Sequence, residues 1–485
     1  MYLLDFLHQQ NRHYPDKLFL CSDNNRYTYS EAFIAVQKTA AFFKNNDISA
    51  GNRVILYFDD KIRLLFSYFA CQAIGAIPAP IDNFSKHLSI HYTASHIQAT
   101  ALITDKKLPS ADKLPCPVLT FPDLNTITTL AWDQTRSDIA HLLFTSGTTG
   151  KPKAVMISQN ALLFTTLSII RWAQMRHGDH ELITLHLSHS FGLGHIHCHL
   201  ILGNTISLLP SARDLSMLLK SLADKQITGY AATPAQLTLL TQSYQNELRQ
   251  YAQQLRYLIV NTAKVEEETI SSLMQLLPKT NFYMYYGLTE ASRSTYIHYN
   301  EKSKKLHTVG KCAPGISVKI DHIEGQEGEI CIKGANLMMG YWGEETSNAF
   351  DSTGWFHTGD VGDIDDDGFL SVKGRLHDRI NVDGLKCHPQ EIEEVLARCK
   401  GVVECAVFGV EHPLTTHEVV AAIVCSGDEE KKTFQNTLRS HCKKSLEPYK
   451  IPKRFLFVHS LPKTESGKIQ RTLLAQKTIN KTAVY

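Results

Sequence analysis

Residues 142–154 read Leu142-Leu143-Phe144-Thr145-Ser146-Gly147-Thr148-Thr149-Gly150-Lys151-Pro152-Lys153-Ala154, and the rest of the chain is organised around them. The apolar run at the start of this segment is typical of a buried strand. The loop after it carries hydroxyl side chains, glycines and lysines. Glycines admit a ligand close to backbone N–H groups, hydroxyls donate to phosphate oxygens, and lysines neutralise phosphate charge. The candidate ligands of a polyphosphate are Thr145, Ser146, Gly147, Thr148, Thr149, Gly150, Lys151 and Lys153.

The loop differs from a Walker loop, which has four residues between its glycines before the lysine. Here only Thr148 and Thr149 separate Gly147 from Gly150, and Pro152 follows the lysine. A proline at this point argues against a helix that begins directly after the loop. The alternative is a polar surface turn between two strands. The motifs further along the chain favour the phosphate-binding interpretation.

Composition predicts an ordinary soluble globular protein of two or three domains. The chain has 485 residues, of which 43% are hydrophobic and 20% are charged. Fifty basic residues against 48 acidic ones give a net charge of +2, so charge predicts neither nucleic acid nor an anionic membrane as a partner. Eleven cysteines without CxxC spacing fit reduced thiols in the cytoplasm. We expect no signal peptide, because the first residues lack a basic region, and no membrane span.

Strand-like and helix-like segments alternate in the first part of the chain. Arg53–Phe58 and Ala101–Thr104 are typical of short strands. Ile62–Ile74 has the pattern of a helix that ends at Gly75, and Ser30 is a candidate cap of an earlier helix. Such alternation predicts an α/β fold with parallel sheets flanked by helices.

The loop at residues 142–154 resembles the phosphate-binding signature of the adenylate-forming (AMP-binding) superfamily. This superfamily includes acyl-CoA synthetases, aryl-CoA ligases, luciferases and peptide-synthetase adenylation domains, and the later motifs of the chain follow its order. The resemblance implies a large N-terminal region of mixed or parallel sheets flanked by helices, residues 1–376. It also implies a small mobile α+β C-terminal domain, residues 377–485.

The segment Tyr285-Tyr286-Gly287-Leu288-Thr289-Glu290 is similar to the family's adenine and magnesium segment. An aromatic ring stacks well on a base, and the resemblance gives this role to Tyr286 with Tyr285 and Gly287 beside it. Thr289 would bond phosphate. Glu290, together with Thr145, would hold Mg²⁺, which prefers oxygen ligands.

The ribose ligands come from two later motifs. Gly354-Trp355-Phe356-His357-Thr358-Gly359-Asp360 places a carboxylate on a predicted turn, which suits the two hydroxyls of a ribose. Gly374-Arg375-Leu376-His377-Asp378 resembles the boundary between the two domains, where Arg375 would also contact ribose. His377 stands at the hinge position, which the family usually fills with Asp or Lys. Lys386 stands where many members have Arg for phosphate or CoA contacts.

The closing motif is Pro462-Lys463-Thr464-Glu465-Ser466-Gly467-Lys468-Ile469-Gln470-Arg471, similar to the family's catalytic-lysine segment. A carboxylate that attacks an α-phosphate meets like charge, which costs several kcal/mol at ~4 Å and intermediate dielectric. An ammonium between the two groups stabilises the charge that develops. Lys468 is therefore the predicted catalytic lysine.

The segment Ser188-His189-Ser190-Phe191-Gly192 resembles the acyl-substrate motif of the family, with His189 as the candidate catalytic histidine. Amino-acid-activating members usually carry an Asp just after the aromatic residue, where it pairs with the substrate ammonium. This chain has Gly192 there. A buried ammonium without its carboxylate is costly, so the predicted substrate is a carboxylic acid without an α-amine.

Several histidines follow one another in the same part of the chain and suggest a zinc site. They are His186, His189, His195, His197 and His199, with Cys198 among them. No HExxH or CxxC spacing accompanies them. The last three alternate, so in a strand they would share one face, and packing or pocket lining is the favoured interpretation.

The sequence predicts an AMP-forming acid–thiol ligase that uses ATP and Mg²⁺. A fatty or aryl acid would form acyl-AMP with release of pyrophosphate, and a thiol would then take the acyl group. CoA is the expected thiol, and the phosphopantetheine of a carrier protein is the alternative. Two other hypotheses are a luciferase-like oxidoreductase and a non-catalytic acyl-adenylate binder. The second is suggested by His377 and by Asn261-Thr262-Ala263-Lys264, where the family usually has a glycine-rich turn.

Overall fold

The computed structural model describes most of the chain. Its described residues are 2–23, 25–109, 111–131, 135–146, 152–209, 215–224, 226–261, 265–322, 328–345, 349–382, 385–412, 416–426, 431–463 and 469–479. The helices in these ranges are α1 Leu3–His13, α2 Tyr29–Lys44, α3 Lys61–Ala73, α4 His87–His96, α5 Gln159–Trp172, α6 Ser190–Leu202, α7 Leu215–Asp224, α8 Pro234–Ser243, α9 Gln245–Arg249, α10 Glu267–Leu276, α11 Pro389–Ala397, α12 Lys431–Lys443 and α13 Arg471–Ile479. Within the described ranges, no helix is both long enough and apolar enough to cross a bilayer.

The strands are short, as the sequence pattern predicts for an α/β protein. The first twelve are β1 Leu18–Cys21, β2 Arg26–Thr28, β3 Arg53–Tyr57, β4 Ile77–Pro80, β5 Ala101–Thr104, β6 Val118–Thr120, β7 Ile139–Ser146, β8 Pro152–Ser158, β9 His180–Ile183, β10 Thr205–Leu208, β11 Gly229–Ala232 and β12 Tyr257–Val260. The others are β13 Asn281–Tyr286, β14 Thr295–His298, β15 Lys311–Cys312, β16 Ile316–Asp321, β17 Glu329–Gly334, β18 Gly340–Tyr341, β19 Phe356–Ile364, β20 Leu370–Arg375, β21 Ile380–Val382, β22 Leu385–Cys387, β23 Val402–His412, β24 Thr416–Cys425 and β25 Arg454–Phe457.

A nine-stranded sheet forms the centre of the N-terminal part, in the order β15-β14-β13-β12-β11-β9-β10-β1-β2. The six strands from β13 to β1 in this order run parallel, and antiparallel strands extend the sheet at both edges. Strands β11 and β12 are buried along their whole length. Parallel strands are buried in this way when helices cover both faces of the sheet. The predicted α/β fold class is therefore confirmed.

The larger part of the chain also contains two smaller sheets built from strands β3–β8 and β18. Strands β4-β3-β5-β6 form a parallel sheet, and β18-β8-β7 form an antiparallel one. One apolar cluster includes residues of both sheets, among them Ile55, Ile77, Leu102 and Leu142. The core thus holds the strands on either side of the predicted phosphate loop in place.

The start of α2 differs from the sequence expectation by two residues. The helix is capped by Thr28 rather than by Ser30, which lies inside the helix. The Thr28 hydroxyl accepts a hydrogen bond from the Glu31 N–H at 3.2 Å, and the Glu31 carboxylate accepts one from the Thr28 N–H at 2.7 Å. This reciprocal capping box satisfies two free backbone donors, whereas a cap at Ser30 would satisfy fewer.

The chain divides into two compact units. The larger comprises residues 1–319, 331–357 and 366–370, and the smaller comprises residues 320–330, 358–365 and 371–485. In the smaller unit, β22-β21-β24-β23 form a sheet that β25 extends, and α11 and α12 contribute to its core through Ile392 and Phe434. This is the predicted small α+β domain. The boundary at residues 376–377 stays a prediction.

Candidate active site

The predicted acyl and adenine segments meet at one edge of the nine-stranded sheet. Strands β9, β11, β12 and β13 are parallel neighbours, so their carboxyl ends lie at the same edge. The segments that follow them begin at Thr184, Thr233, Asn261 and Gly287. Ligands of open α/β sheets bind outside the carboxyl ends of the strands. The topology therefore places the histidine motif and the Glu290 motif of the larger unit on the same side of the sheet.

Strands β7 and β8 form an antiparallel hairpin that brackets the predicted phosphate loop. Thr145 pairs with Lys153 in the register of this hairpin. Strand β8 begins at Pro152, so no helix follows the loop directly, in agreement with the sequence expectation. The predicted ligands Gly147, Thr148, Thr149, Gly150 and Lys151, and the side chain of Ser146, lie outside the described residues.

Glu290 lies within reach of two hydroxyl groups from distant parts of the larger unit. The Thr145 hydroxyl is 3.5 Å from Oε1 of Glu290, and the Tyr341 hydroxyl donates to the same oxygen at 3.1 Å. Glu290 is buried, whereas Thr289 beside it is half-buried. The fold thus brings together the two predicted metal ligands, Thr145 and Glu290, which are far apart in the sequence.

Tyr341 is a site residue that sequence reasoning missed. Its ring lies 4.4 Å below the ammonium of Lys153, and its hydroxyl contacts Glu290. Lys153 also pairs with Glu344 at 3.0 Å. The tyrosine thereby joins the end of the predicted phosphate loop to the predicted metal carboxylate. In the sequence, Tyr341 belongs to the short motif Gly340-Tyr341-Trp342. The separation of this motif from Glu290 along the chain does not indicate that Tyr341 and Glu290 are in contact.

The two tyrosines of the adenine motif have different surroundings. Tyr285 is buried and packs edge-to-face on Phe191, with ring centroids 5.5 Å apart. Tyr286 is half-buried at the end of β13. Gly287 follows in a tight turn where an added Cβ would lie 2.4 Å from the Arg293 nitrogen. Of the two predicted adenine contacts, Tyr286 is therefore the more exposed, and Tyr285 belongs to the core.

His189 is paired with a carboxylate that the sequence did not reveal. Its Nε2 lies 3.3 Å from Oδ1 of Asp82, and the Ser188 hydroxyl donates to the same oxygen. Burial by itself would raise the pKa of Asp82, but His189, Ser188 and His186 lower it below its ordinary value. A carboxylate that pairs with one ring nitrogen fixes the orientation of an imidazole. Asp82 therefore holds the predicted catalytic histidine in place.

The three alternating histidines lie in helix α6 rather than in a strand, so the three do not share one face. In the helix, His195 and His199 are four residues apart and share one face, where both contact Glu181. His197 points the other way and stacks on Tyr68 at 5.7 Å. Within the described residues, none of the α6 histidines belongs to a group of three possible metal ligands.

Glu181 is a fully buried carboxylate with three partners. Nδ1 of His195 lies 2.6 Å from it, Nε2 of His199 contacts it, and the Tyr257 hydroxyl donates to it at 2.9 Å. Burial by itself would raise the pKa of Glu181, but His195 and His199 lower it far below its ordinary value. This cluster agrees with the packing interpretation of the histidines, because His195 and His199 both contact the same buried carboxylate inside the protein, although Nε2 of His195 has no hydrogen-bond partner among the described residues.

The predicted ribose ligands lie together in the smaller unit. Asp360 is buried, and its Oδ1 lies 2.7 Å from Nε of Arg375. Nη1 of Arg375 also donates to the Thr358 carbonyl at 3.2 Å. The expectation that Asp360 lies on a turn was wrong, because the residue lies within strand β19. The ion pair with Arg375, which lies at the end of β20, fixes the position of the Asp360 carboxylate.

The lysine motif is anchored to the core of the smaller unit by Arg471. The guanidinium forms a two-pronged ion pair with Glu393 at 2.7 and 2.8 Å and donates to the Val407 carbonyl at 3.1 Å. Burial raises the pKa of Glu393, although Arg471 opposes the effect. Lys468 lies outside the described residues, and so do the side chains of Lys386 and His377.

A mostly parallel sheet with carboxylate, hydroxyl and lysine groups near one edge defines a class of α/β proteins that bind nucleotides. The chain matches the family model of the AMP-binding enzyme over residues 7–342. Residues 391–468 match the model of the AMP-binding enzyme C-terminal domain. The chain therefore belongs to the AMP-binding enzyme family. The resemblance stated from the sequence motifs is confirmed.

Several proteins that are similar to this chain are CoA ligases. The chain is 28% identical to a 2-succinylbenzoate–CoA ligase of Bacillus licheniformis, over 96% of this chain and 98% of that protein. It is 27% identical to a long-chain-fatty-acid–CoA ligase of Mycobacterium tuberculosis, over 94% of each. A solved structure of the o-succinylbenzoate CoA synthetase from Bacillus subtilis, with ATP and a magnesium ion, is similar with a TM-score of 0.86. The two sequences are 24% identical, and the match covers 97% of this chain and 98% of the other. This similarity shows the fold.

These relatives act on different acids but are all acid–CoA ligases. The predicted class, an AMP-forming acid–thiol ligase, is confirmed at the level that they share. One relative is named for an aromatic acid and the other for a fatty acid, so similarity to them does not identify the substrate of this chain.

Proposed function

We propose that the protein is an ATP-dependent carboxylate–CoA ligase that works in two steps. In the first, an oxygen of the acid attacks the α-phosphate of ATP, which forms acyl-AMP and releases pyrophosphate. In the second, the thiol of CoA attacks the acyl carbon, which gives the thioester and releases AMP. The observation that carries the proposal is the convergence of the Thr145 and Tyr341 hydroxyls on Glu290, with the ammonium of Lys153 over the Tyr341 ring.

The donor set at Glu290 fits a magnesium ion. Mg²⁺ binds hard oxygen ligands, and it is usually held by one or two carboxylates together with substrate phosphates. Glu290 supplies the carboxylate, and Thr145 supplies a hydroxyl at 3.5 Å from it. When bound, the ion neutralises phosphate charge. The hydroxyl of Tyr341 keeps the carboxylate oriented, and Lys153 adds positive charge at the end of the β7–β8 hairpin.

The acyl side supports a substrate without an α-amine. An added Cβ at Gly192 would lie 2.5 Å from the His186 carbonyl oxygen. An aspartate at this position would therefore need a shift of the backbone, so the acid that amino-acid-activating members carry at this position has no counterpart in this chain, and the nearby Asp82 is paired with His189. His189, oriented by Asp82, is the proposed contact for the reacting carboxylate or for the incoming thiol.

The remaining roles come from the smaller unit and from the loop. Asp360 and Arg375 are the proposed ribose ligands, since the arginine orients a buried carboxylate. Lys468 is the proposed catalytic lysine, on a segment that Arg471 anchors. Tyr286 is the proposed adenine contact, and residues 147–151 are the proposed phosphate ligands.

The test is pyrophosphate release from MgATP across fatty, aryl and dicarboxylic acids, with and without CoA. We expect turnover with one class of acid and formation of its CoA thioester. Lys468→Ala should lower the adenylation rate by about 10²–10³-fold, the effect of losing one preorganised group that stabilises developing charge. ATP binding should persist in this variant.

Lys477→Ala is the matched control, because Lys477 is an exposed lysine on α13 in the same unit. It should keep the wild-type rate. Adenylation at a normal rate in Lys468→Ala would overturn the role of Lys468. Acyl-AMP that forms without any CoA thioester would point to a carrier-protein acceptor, and oxygen-dependent light emission would favour a luciferase-like reaction.

A further inference from the structure

Arg293 carries a buried positive charge without a matching negative one. Arg293 is only 3% exposed. Among the described residues, no carboxylate forms an ion pair with its guanidinium. Its Nε also has no hydrogen-bond partner there. Arg256 in the same unit shows the usual arrangement, since its Nε and Nη2 bind Asp179 at 2.9 and 2.8 Å. A buried charge without a partner is costly, so Arg293 requires an explanation.

The guanidinium lies at the start of helix α6, next to the predicted acyl motif. Its Nη2 donates to the carbonyls of Ser190 and Phe191 at 2.7 and 3.3 Å. The same group lies 5.1 Å from the ring of Tyr285. An added Cβ at Gly194 would be 2.3 Å from Nη2, so only glycine leaves room for this placement. The amino end of a helix carries partial positive charge, which adds to that of the arginine and favours an anion.

Three buried titratable side chains whose charges interact with Arg293 carry no negative charge at physiological pH. Burial raises the pKa of Tyr285 to about 12. Burial raises the pKa of the Cys198 thiol well above its ordinary value, and burial together with His141 and Arg293 lowers that of His197. None of the three supplies a negative charge. The charge of the Glu181 carboxylate also acts on Tyr285 and Cys198, but this carboxylate is shared by His195 and His199, so among the described residues the guanidinium lacks a carboxylate of its own.

The backbone of Arg293 is held in an uncommon conformation. Its φ is +56°, in the left-handed region that bulky residues seldom adopt. The turn that imposes this angle is tight, because an added Cβ at Gly287 would lie 2.4 Å from the Arg293 nitrogen. The Ser294 hydroxyl donates to the Ala291 carbonyl at 2.9 Å within the same turn. The fold thus holds Arg293 directly after the Glu290 motif and beside Phe191.

We propose that Arg293 binds a second carboxylate of the acid substrate, so that the protein activates dicarboxylic acids. An arginine forms strong charge-assisted hydrogen bonds with a carboxylate, and the free Nε provides a donor for one of its oxygens. The other end of the acid is then left for adenylation. This inference rests on the proposed function, because it names the class of acid that the same site activates.

The experiment compares matched pairs of acids in pyrophosphate release. Each pair consists of a linear or aromatic dicarboxylic acid and the monocarboxylic acid in which a methyl group replaces one carboxylate. We expect the wild type to prefer one dicarboxylic acid over its partner by at least tenfold in kcat/KM. Arg293→Met should lower kcat/KM for that acid by about 100-fold or more and leave its monocarboxylic partner unchanged or improved. Arg293→Lys should restore part of the preference, because it keeps the charge.

Stability separates this role from a structural one. If Arg293 awaits a ligand, Arg293→Met removes an unmatched charge, and its Tm without substrate should equal or exceed that of the wild type. Arg256→Met is the control, because it leaves the buried Asp179 without its partner and should lower Tm with no change in acid preference.

Two outcomes would overturn the inference. One is a wild-type preference for the monocarboxylic member of every pair, which would leave the adenylation chemistry standing. The other is an equal loss of activity on both members of a pair in Arg293→Met, with a lower Tm. Absence of pyrophosphate release with all acids would instead count against the proposed function.

Discussion

Replacing Glu181 by Gln tests the histidine cluster in helix α6 directly. The carboxylate is fully buried and is approached by His195, His199 and Tyr257. Glutamine has the same shape, but its amide NH₂ is a donor and would face a donor from one of the three partners. Hydrogen bonds to a charged group contribute roughly 1.5–3 kcal/mol each, and they are not additive within one network. We expect a loss of about 3–5 kcal/mol, the usual cost of removing one partner from a buried charged network.

The assay should report on α6 itself, because two units can unfold separately. Hydrogen exchange of peptides that cover residues 190–202, followed at increasing urea, measures the free energy of opening at this helix. Tyr257→Phe is the matched control, since it removes one hydroxyl and leaves the carboxylate and both histidines. It should cost about 1–2 kcal/mol.

The pH dependence gives a second check. Because the pKa of Glu181 is depressed in the folded state, its contribution is present above the unfolded value of about 4.5 and is lost as pH falls through the folded pKa. The difference between wild type and Glu181→Gln should therefore shrink as the pH falls below about 4.5. A difference below about 1 kcal/mol at pH 7 would refute the shared-carboxylate argument, given that a typical neutral hydrogen bond already contributes that much.

Two further substitutions test other parts of the larger unit. Tyr341→Phe removes the hydroxyl that orients Glu290, so the KM for MgATP should rise about threefold to tenfold while Tm stays within a few degrees, and an unchanged KM in steady-state kinetics would contradict the orienting role. Lys61 donates to the carbonyls of Thr184 and Leu209, and burial lowers its pKa from 10.5 to about 7. The unfolded chain therefore binds more protons between pH 7 and 10, and the free energy of unfolding of the wild type should rise over this range by up to about 4 kcal/mol. Lys61→Met should lack that rise in urea titrations, and identical slopes would show that the lysine stays charged in the folded protein.

The phosphate-loop hairpin and the Glu290 motif show what local sequence predicts well. Pro152 excluded a helix after the loop, and β8 begins at that residue. Glu290 was assigned as a metal ligand together with Thr145, and their oxygens lie 3.5 Å apart in the structure. The first inference depends on residue types within a few positions of one another, because turn chemistry is a local property. The second came from the family resemblance of two motifs that are far apart in the chain, and the metal role of the two residues stays a prediction.

Helix α6 and strand β19 show where the pattern misled. The alternation of His195, His197 and His199 is also compatible with a strand, and α6 is buried over most of its surface, so it has no polar stripe to reveal a helical period. Asp360 follows a Thr-Gly pair that is typical of a turn, but pairing with neighbouring strands keeps it extended. In both cases tertiary packing overrode the local pattern.

The motifs of the chain were enough to predict the α/β class and the family and to name candidate site residues, because they are short and follow a set order. How these side chains are paired became visible only in three dimensions. Asp82 reaches His189, Tyr341 reaches Glu290, and Glu181 is shared by two histidines, while Arg293 is left without a carboxylate among the described residues. These pairings join residues that are far apart in the chain. Their strength depends on burial, since removal from water makes a matched charge stabilising and an unmatched one costly.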